Sequence, residues 1–300
     1  MAEFITKHAM VGENGPKAAR QRKSRMKKLE RIGLESVSGR KYKQSYEGTV
    51  EEVDEVEEDE VVTLDFPDPG DFDGNILMLE QARFGYSPDK ILLDDVDIQI
   101  DQRSRVALLG RNGCGKSTLI KLIVGILTPN KGKATINRGA KIEYLAQHQL
   151  EQLDAFSTPL ETLKEKYPGD GSLSHEQALR NYLAKFGLGG ETLPNQTIHT
   201  LSGGQKCRLC LAGAMFRKPH LLILDEPTNH LDLETTEALI KAIEDFNGGV
   251  LLVSHDQHLL TSSCKELYVV GDGKLEKLSG GGIDGADFAK YKKDVVAGRR

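Results

Sequence analysis

Gly110-Arg111-Asn112-Gly113-Cys114-Gly115-Lys116-Ser117 is an unbroken Gly-x-x-x-x-Gly-Lys-Ser run, followed directly by Thr118. Its glycines allow successive backbone N–H groups to converge on phosphate oxygens with no Cβ in the way. The run lies between an apolar strand pattern at residues 106–109 and an apolar helical pattern expected over residues 116–126. A helix N-terminus there adds partial positive charge. Lys116 is long enough to reach the β- and γ-phosphates of a nucleoside triphosphate, and the Ser117 hydroxyl is a hard oxygen ligand for Mg²⁺. A second cluster follows further along the chain. Four apolar residues, 221–224, end in the adjacent carboxylates Asp225 and Glu226, and Pro227 stops the strand. In this pairing Asp225 is expected to hold Mg²⁺ through its water shell, and Glu226 to orient or deprotonate an attacking water.

The elements that must position these groups lie in the body of the chain. The sequence has 300 residues, 38% hydrophobic and 28% charged, which is enough for about two domains and a sizeable core. No apolar run reaches the ~18 residues that span a bilayer, and the first residues lack a leader pattern. Four cysteines do not make a disulfide scaffold. These features give the expectation of a cytoplasmic protein. The net charge of −5 is unevenly spread. Residues 1–50 carry 12 Lys/Arg against 5 acids, residues 51–73 carry 12 acids and no base, and the remainder balances. The basic stretch predicts a helix over residues 17–33 with a thin stripe of Met26, Leu29 and Ile32. The acidic stretch, residues 50–74, reads as a disordered linker whose like charges repel.

From residue 75 short apolar runs alternate with helical patterns. Strands are expected at residues 76–79, 98–100, 106–109, 142–145, 221–224, 250–253 and 267–270. Helices are expected at 116–126, 174–186, 204–216, 234–246 and 256–263, the second opened by a capping box of Ser174 and Gln177. This alternation predicts an α/β fold with a largely parallel sheet. Cys207 and Cys210 form a Cys-x-x-Cys with no second pair at zinc spacing, so they are expected to pack inside a helix.

Leu201-Ser202-Gly203-Gly204-Gln205, with the two motifs above, resembles the signature of ATP-binding cassette (ABC) proteins. The resemblance implies a P-loop NTPase of cassette type, its RecA-like core joined by antiparallel β and α-helical subdomains, the latter at about residues 150–218. It implies ATP and Mg²⁺ as ligands, with Ser202, Gly203, Gly204 and Gln205 facing the nucleotide of an opposing cassette. A similar run at residues 278–281 lacks the glutamine and reads as a turn. By the same resemblance Gln147, or its neighbour Gln149, approaches Mg²⁺ and the nucleophilic water. His255 contacts the γ-phosphate, Tyr86 (with Phe84 as rival) stacks on adenine, and Asp232 lines the seam between cassettes.

Asn229-His230-Leu231-Asp232 after Pro227-Thr228 is similar to the ABC-F family rather than to transporter cassettes, which generally carry Ser-Ala-Leu-Asp. Phe4-Ile5-Thr6-Lys7 and the basic helix resemble the second half of that family's interdomain arm. The resemblance implies a ribosome partner, through ribosomal RNA and tRNA, and a second cassette, because members normally carry two. The chain thus looks like the C-terminal half of a eukaryotic translation-control member, or one piece of a split gene. The alternative is the ATPase subunit of a membrane transporter, which the charged N-terminal stretch and the Asn229–Asp232 segment disfavour.

Overall fold

The computed structural model describes residues 62–87, 90–146, 149–229, 231–278, 291 and 293. The chain divides into two units, Met1–Glu60 and Val61–Arg300. The expected basic helix and the acidic run at residues 51–60 lie outside the described residues, as does the turn expected after residue 278.

The central strands form where apolar residues run without interruption. β3 (Arg105–Gly110), β6 (Leu221–Asp225) and β7 (Gly249–Val253) are buried almost throughout, as strands covered on both faces must be. With β5 (Ile142–Leu145), β8 (Glu266–Gly271) and β9 (Lys274–Leu278) they build a six-stranded sheet of order β5-β6-β7-β3-β8-β9. The first five strands are parallel and β9 runs antiparallel to β8. β1 (Asn75–Phe84), β2 (Leu93–Asp101) and β4 (Lys131–Ile136) make a separate antiparallel sheet of order β2-β1-β4.

Alternation along the central strands divides the apolar side chains between two cores. Val106, Leu108, Leu221, Ile223, Leu251 and Val253 face the small sheet and α1 (Lys116–Ile123). Ala107, Leu109, Leu222, Leu224, Val250 and Leu252 face α4 (Gly203–Met215), α5 (Leu233–Asp245) and α6 (Gln257–Ser263). Between β5 and β6 the chain is helical: a 3₁₀ turn at Gln149–Gln152, α2 (Pro159–Lys166), α3 (Leu173–Ala184), two more 3₁₀ turns and α4.

Four details differ from the sequence reading. The helix after the glycine loop stops at Ile123 rather than residue 126, because Gly125 takes a left-handed φ of 77° and turns the chain. The capping box expected at Ser174 is not made: Ser172 caps α3, accepting from the His175 N–H at 3.1 Å. Capping boxes form instead at the neighbouring helices, between Thr158 and Glu161 at the start of α2 and between Ser202 and Gln205 at the start of α4. Finally, residues 62–74 pack on the body instead of trailing as a linker. Leu64 is buried, and the Phe66 ring stacks on Phe186 at 6.1 Å and meets Phe246 edge-on at 5.9 Å. Asp65 pairs with Lys185 at 2.8 Å.

Phe186 is fully buried beneath Phe66, Tyr182 and Leu183. Replacing it by alanine removes a large aromatic from a close-packed site, so Phe186→Ala is expected to cost about 3–5 kcal/mol in urea unfolding. A loss below ~1 kcal/mol would show that the helical region folds independently of this contact.

Candidate functional site

In open α/β sheets ligands gather beyond the carboxyl ends of the strands, and the glycine loop leaves β3 at that end. Gly110 continues β3 where a Cβ would come within 2.6 Å of the Val270 carbonyl oxygen. Gly115 forms the cap of α1 at φ 109°, against the Leu92 and Leu93 side chains. Those two positions therefore require glycine. Among the six described α-helices, five are capped by a side chain: Thr158, Ser172, Ser202, Asp232 and Asp256 each accept from first-turn N–H groups. α1 alone has no side-chain cap. Its first-turn amide donors are left to an anion, which the helix dipole also favours. Lys116 folds back over the loop, donating to the carbonyl oxygens of Gly110 at 2.6 Å and Arg111 at 3.1 Å.

β6 delivers the carboxylates. Asp225 is buried at the strand end, and the Tyr144 hydroxyl on β5 donates to its Oδ2 at 3.2 Å. Glu226 adopts φ 53°, sparsely populated for a non-glycine residue. Its N–H donates to the Val253 carbonyl at 2.8 Å, so the kink is fixed by the neighbouring strand. The side chain is thereby turned toward His255, whose Nε2 lies 3.4 Å from Glu226 Oε1. Glu226 is 11% exposed against 65% for His255. Burial holds the Glu226 carboxyl above the usual range; His255 works against the shift and Asp225 adds to it. A carboxylate raised by burial inside a cleft is a candidate proton acceptor.

Gly113, Gly115, Lys116, Ser117, Asp225, Glu226 and His255 line one recess of about 400 Å³, with Asn112, Thr118, Asn229 and Leu92. Tyr86 stands beside it. Its ring is 66% exposed and its hydroxyl lies 3.2 Å from Thr118 Oγ1. Phe84, the rival aromatic, is buried at 6% exposure and meets Tyr86 edge-on at 5.1 Å. Of the two rings, Tyr86 is the one free to take a planar base. A wider groove, about 1160 Å³, lies at the opposite strand ends among Asp71, Asp101, Arg103, Arg105 and Lys265. There the Arg105 guanidinium is engaged by the Phe246 and Gly248 carbonyls, and acids and bases are interspersed. The smaller recess gathers the glycine loop, the Asp225–Glu226 pair and His255.

Ser202, Gly203, Gly204 and Gln205 are not among the residues lining that recess. They form the N-terminus of α4, where Ser202 Oγ accepts from the Gln205 N–H at 3.1 Å and Gln205 Oε1 accepts from the Ser202 N–H at 2.9 Å. Ser202 and Gly203 are exposed. Asp232 caps α5 through the Thr235 N–H, which holds its carboxyl below the usual range. It also abuts Gly204, where a Cβ would lie 3.2 Å from Asp232 Oδ2.

Residues 93–229 match the family model described as ABC transporter. The chain is 40% identical over 277 residues to the Probable ATP-binding protein YheS of Escherichia coli, covering 92% of this chain and 39% of YheS. It is 41% identical over 231 residues to ATP-binding cassette sub-family F member 3 of Rattus norvegicus, covering 77% of this chain and 32% of that protein. The chain carries an ABC transporter domain, and its relatives are ABC-F family members. A solved dimeric cassette, MJ0796 in a post-hydrolysis state bound to ADP and Pi, superposes with a TM-score of 0.57 at 25% identity, covering 68% of this chain and 99% of that one. The fold is therefore that of a P-loop ABC cassette. The chain spans about a third of the length of the ABC-F relatives just named.

Of the residues that the ABC-F resemblance singled out, Gln147 lies outside the described residues. Gln149, its rival, opens a 3₁₀ turn and accepts from the Ala146 N–H at 3.2 Å. The thiols of Cys207 and Cys210 are buried in the core, and burial pushes both up to about 12. Tyr144 and Asn229 were not anticipated as parts of the site. Asn229 was visible only as a family letter, and Tyr144 needed the β5–β6 register to place it. The Ser117 hydroxyl and the Asp225 carboxylate bring hard oxygens into one recess, a donor set that fits Mg²⁺. No described helix is long and apolar enough to cross a membrane.

Proposed function

We propose that this chain is an ABC-F cassette that binds and hydrolyses Mg·ATP, closing on a second cassette and coupling that cycle to the ribosome in the cytoplasm. The observation that carries the reading is the uncapped N-terminus of α1 facing the Asp225–Glu226 pair across one recess. Tyr86 takes the adenine face. The amides of residues 110–118 and the Lys116 ammonium hold the β- and γ-phosphates. Ser117, Asp225 and Gln147 would hold Mg²⁺, which when bound would supply positive charge to the phosphate oxygens. Glu226 accepts the proton of the attacking water as its oxygen bonds to the γ-phosphorus and the bond to the ADP oxygen breaks. His255 orients the Glu226 carboxylate and meets the γ-phosphate.

Ser202, Gly203 and Gly204, which do not line the cassette's own recess, supply donors to the nucleotide held by a partner. The relative bound to ADP and Pi is dimeric, which supports pairing. Because contacts to the γ-phosphate differ between open and closed pairs, ATP shifts the population toward closure and hydrolysis releases it. The 12 Lys/Arg of residues 1–50 supply charge for RNA phosphates, an association that weakens with salt.

Two measurements test this reading. ATPase rate per molecule is expected to rise with protein concentration as cassettes pair; a flat line counts against pairing between copies. In the presence of ATP the chain is expected to sediment with ribosomes, and less so as salt rises. Sedimentation with membranes instead would favour a transporter subunit.

A further inference from the structure

Tyr144 lies on β5, opposite Ile223 in the parallel ladder with β6, and two residues short of Asp225 on the same face. Its ring packs beside Ile142 against the core shared with α1. A phenylalanine would fill that space equally well. What the hydroxyl adds is a donor, 3.2 Å from Asp225 Oδ2. Asp225 itself is buried at the floor of the recess that holds Ser117 and Lys116.

We propose that Tyr144 is a positioning residue for the metal side of the site, its hydroxyl fixing the Asp225 carboxylate so that the second oxygen faces the cation of a Mg·nucleotide. The inference rests on the reading of Asp225 as the magnesium-side carboxylate and deepens it. A short carboxylate can pivot about its Cβ–Cγ bond, and a pivoted Asp225 presents the wrong edge to the recess. A hydrogen bond to a charged acceptor is strong enough to select one orientation. Losing the hydroxyl leaves slightly more negative charge on Asp225, which favours a cation. It also releases the geometry, and the loss of geometry dominates because partners of ligating carboxylates commonly govern metal affinity by 10–100-fold.

Tyr144→Phe keeps the ring and removes only the donor. Nucleotide binding is measured by calorimetry in EDTA and again across a Mg²⁺ titration, and Mn²⁺ binding to the nucleotide complex is followed by electron paramagnetic resonance. The expected result is affinity within about twofold of wild type in EDTA, together with a roughly tenfold rise in the Mg²⁺ or Mn²⁺ concentration giving half-saturation. At saturating Mg²⁺ the turnover number returns close to wild type. In an Asp225→Ala background, which removes the acceptor, the same substitution is expected to add nothing, the mark of two residues acting through one contact.

An unchanged metal titration, or a tighter one, overturns the proposal. So does an equal loss with and without metal, which would make Tyr144 a packing residue only. Wild-type protein that binds nucleotide with no dependence on Mg²⁺ would instead overturn the assignment of Asp225, a distinguishable outcome. A thermal melt of Tyr144→Phe confirms folding before either comparison is read.

Discussion

Glu226→Gln is expected to bind Mg·ATP about as tightly as the wild type while turning over at least about 10²-fold more slowly, the scale of a lost general base. Glutamine keeps the size and most of the hydrogen bonding of glutamate but cannot accept the water's proton. The surroundings make the test sharp. Glu226 sits at φ 53° with its N–H tied to Val253, so the backbone, not the carboxylate, fixes where the side chain points. Burial raises its affinity for a proton, and the side chain lines the same recess as Lys116 and His255. Single-turnover assays with radiolabelled ATP, paired with equilibrium binding, read the two quantities separately. Turnover near the wild-type rate would remove Glu226 from the role of base.

Gly204→Asp is expected to lower turnover by 10²–10³-fold, the scale of losing pre-organised donors at a developing charge, while leaving nucleotide affinity at the cassette's own recess nearly unchanged. Gly204 is buried at the start of α4, and a Cβ there would lie 3.2 Å from Asp232 Oδ2 and 3.3 Å from Thr235 Oγ1. A carboxylate added at that point meets Asp232 as a like charge and disturbs the cap of α5, itself worth about 1 kcal/mol. It also turns the end of α4 from attractive to repulsive for a phosphate. Gly204→Ala separates crowding from charge, since alanine makes the close contact without the second anion. If Gly204→Asp hydrolyses ATP at the wild-type rate, the α4 terminus plays no part in the reaction.

The parts of the molecule legible in the sequence are those where one local rule decides. Val106–Leu109 and Leu221–Leu224 are apolar without a break, which suits only strands buried on both faces, and the glycine loop between β3 and α1 is a contiguous pattern. Legibility fails where the deciding contact is remote. β4 and β9 carry exposed lysines at Lys131, Lys133 and Lys274, as sheet edges tolerate, and so lack an apolar signature. Residues 62–74 resemble a linker because their acids are interspersed with prolines and glycines in no strand or helix period; only in the fold does Phe66 find Phe186 and Phe246, and Asp65 find Lys185. The Tyr144–Asp225 contact links positions 81 apart and depends on strand register. The helix caps fail for a subtler reason. Ser172 and Ser174 are both serines before an apolar stripe, and two residues decide which one starts the helix.

The reciprocal bonds between Ser202 and Gln205 have a consequence for assembly. Because the glutamine amide is committed to the backbone of its own loop, it holds the terminus of α4 in shape before any partner arrives. If this terminus meets a neighbouring cassette as proposed, bonds that hold its shape are already made, so less conformational freedom is lost on pairing. Gln205, though part of the most recognisable stretch of the chain, is then a brace for its neighbours, and the exposed residues beside it are Ser202 and Gly203.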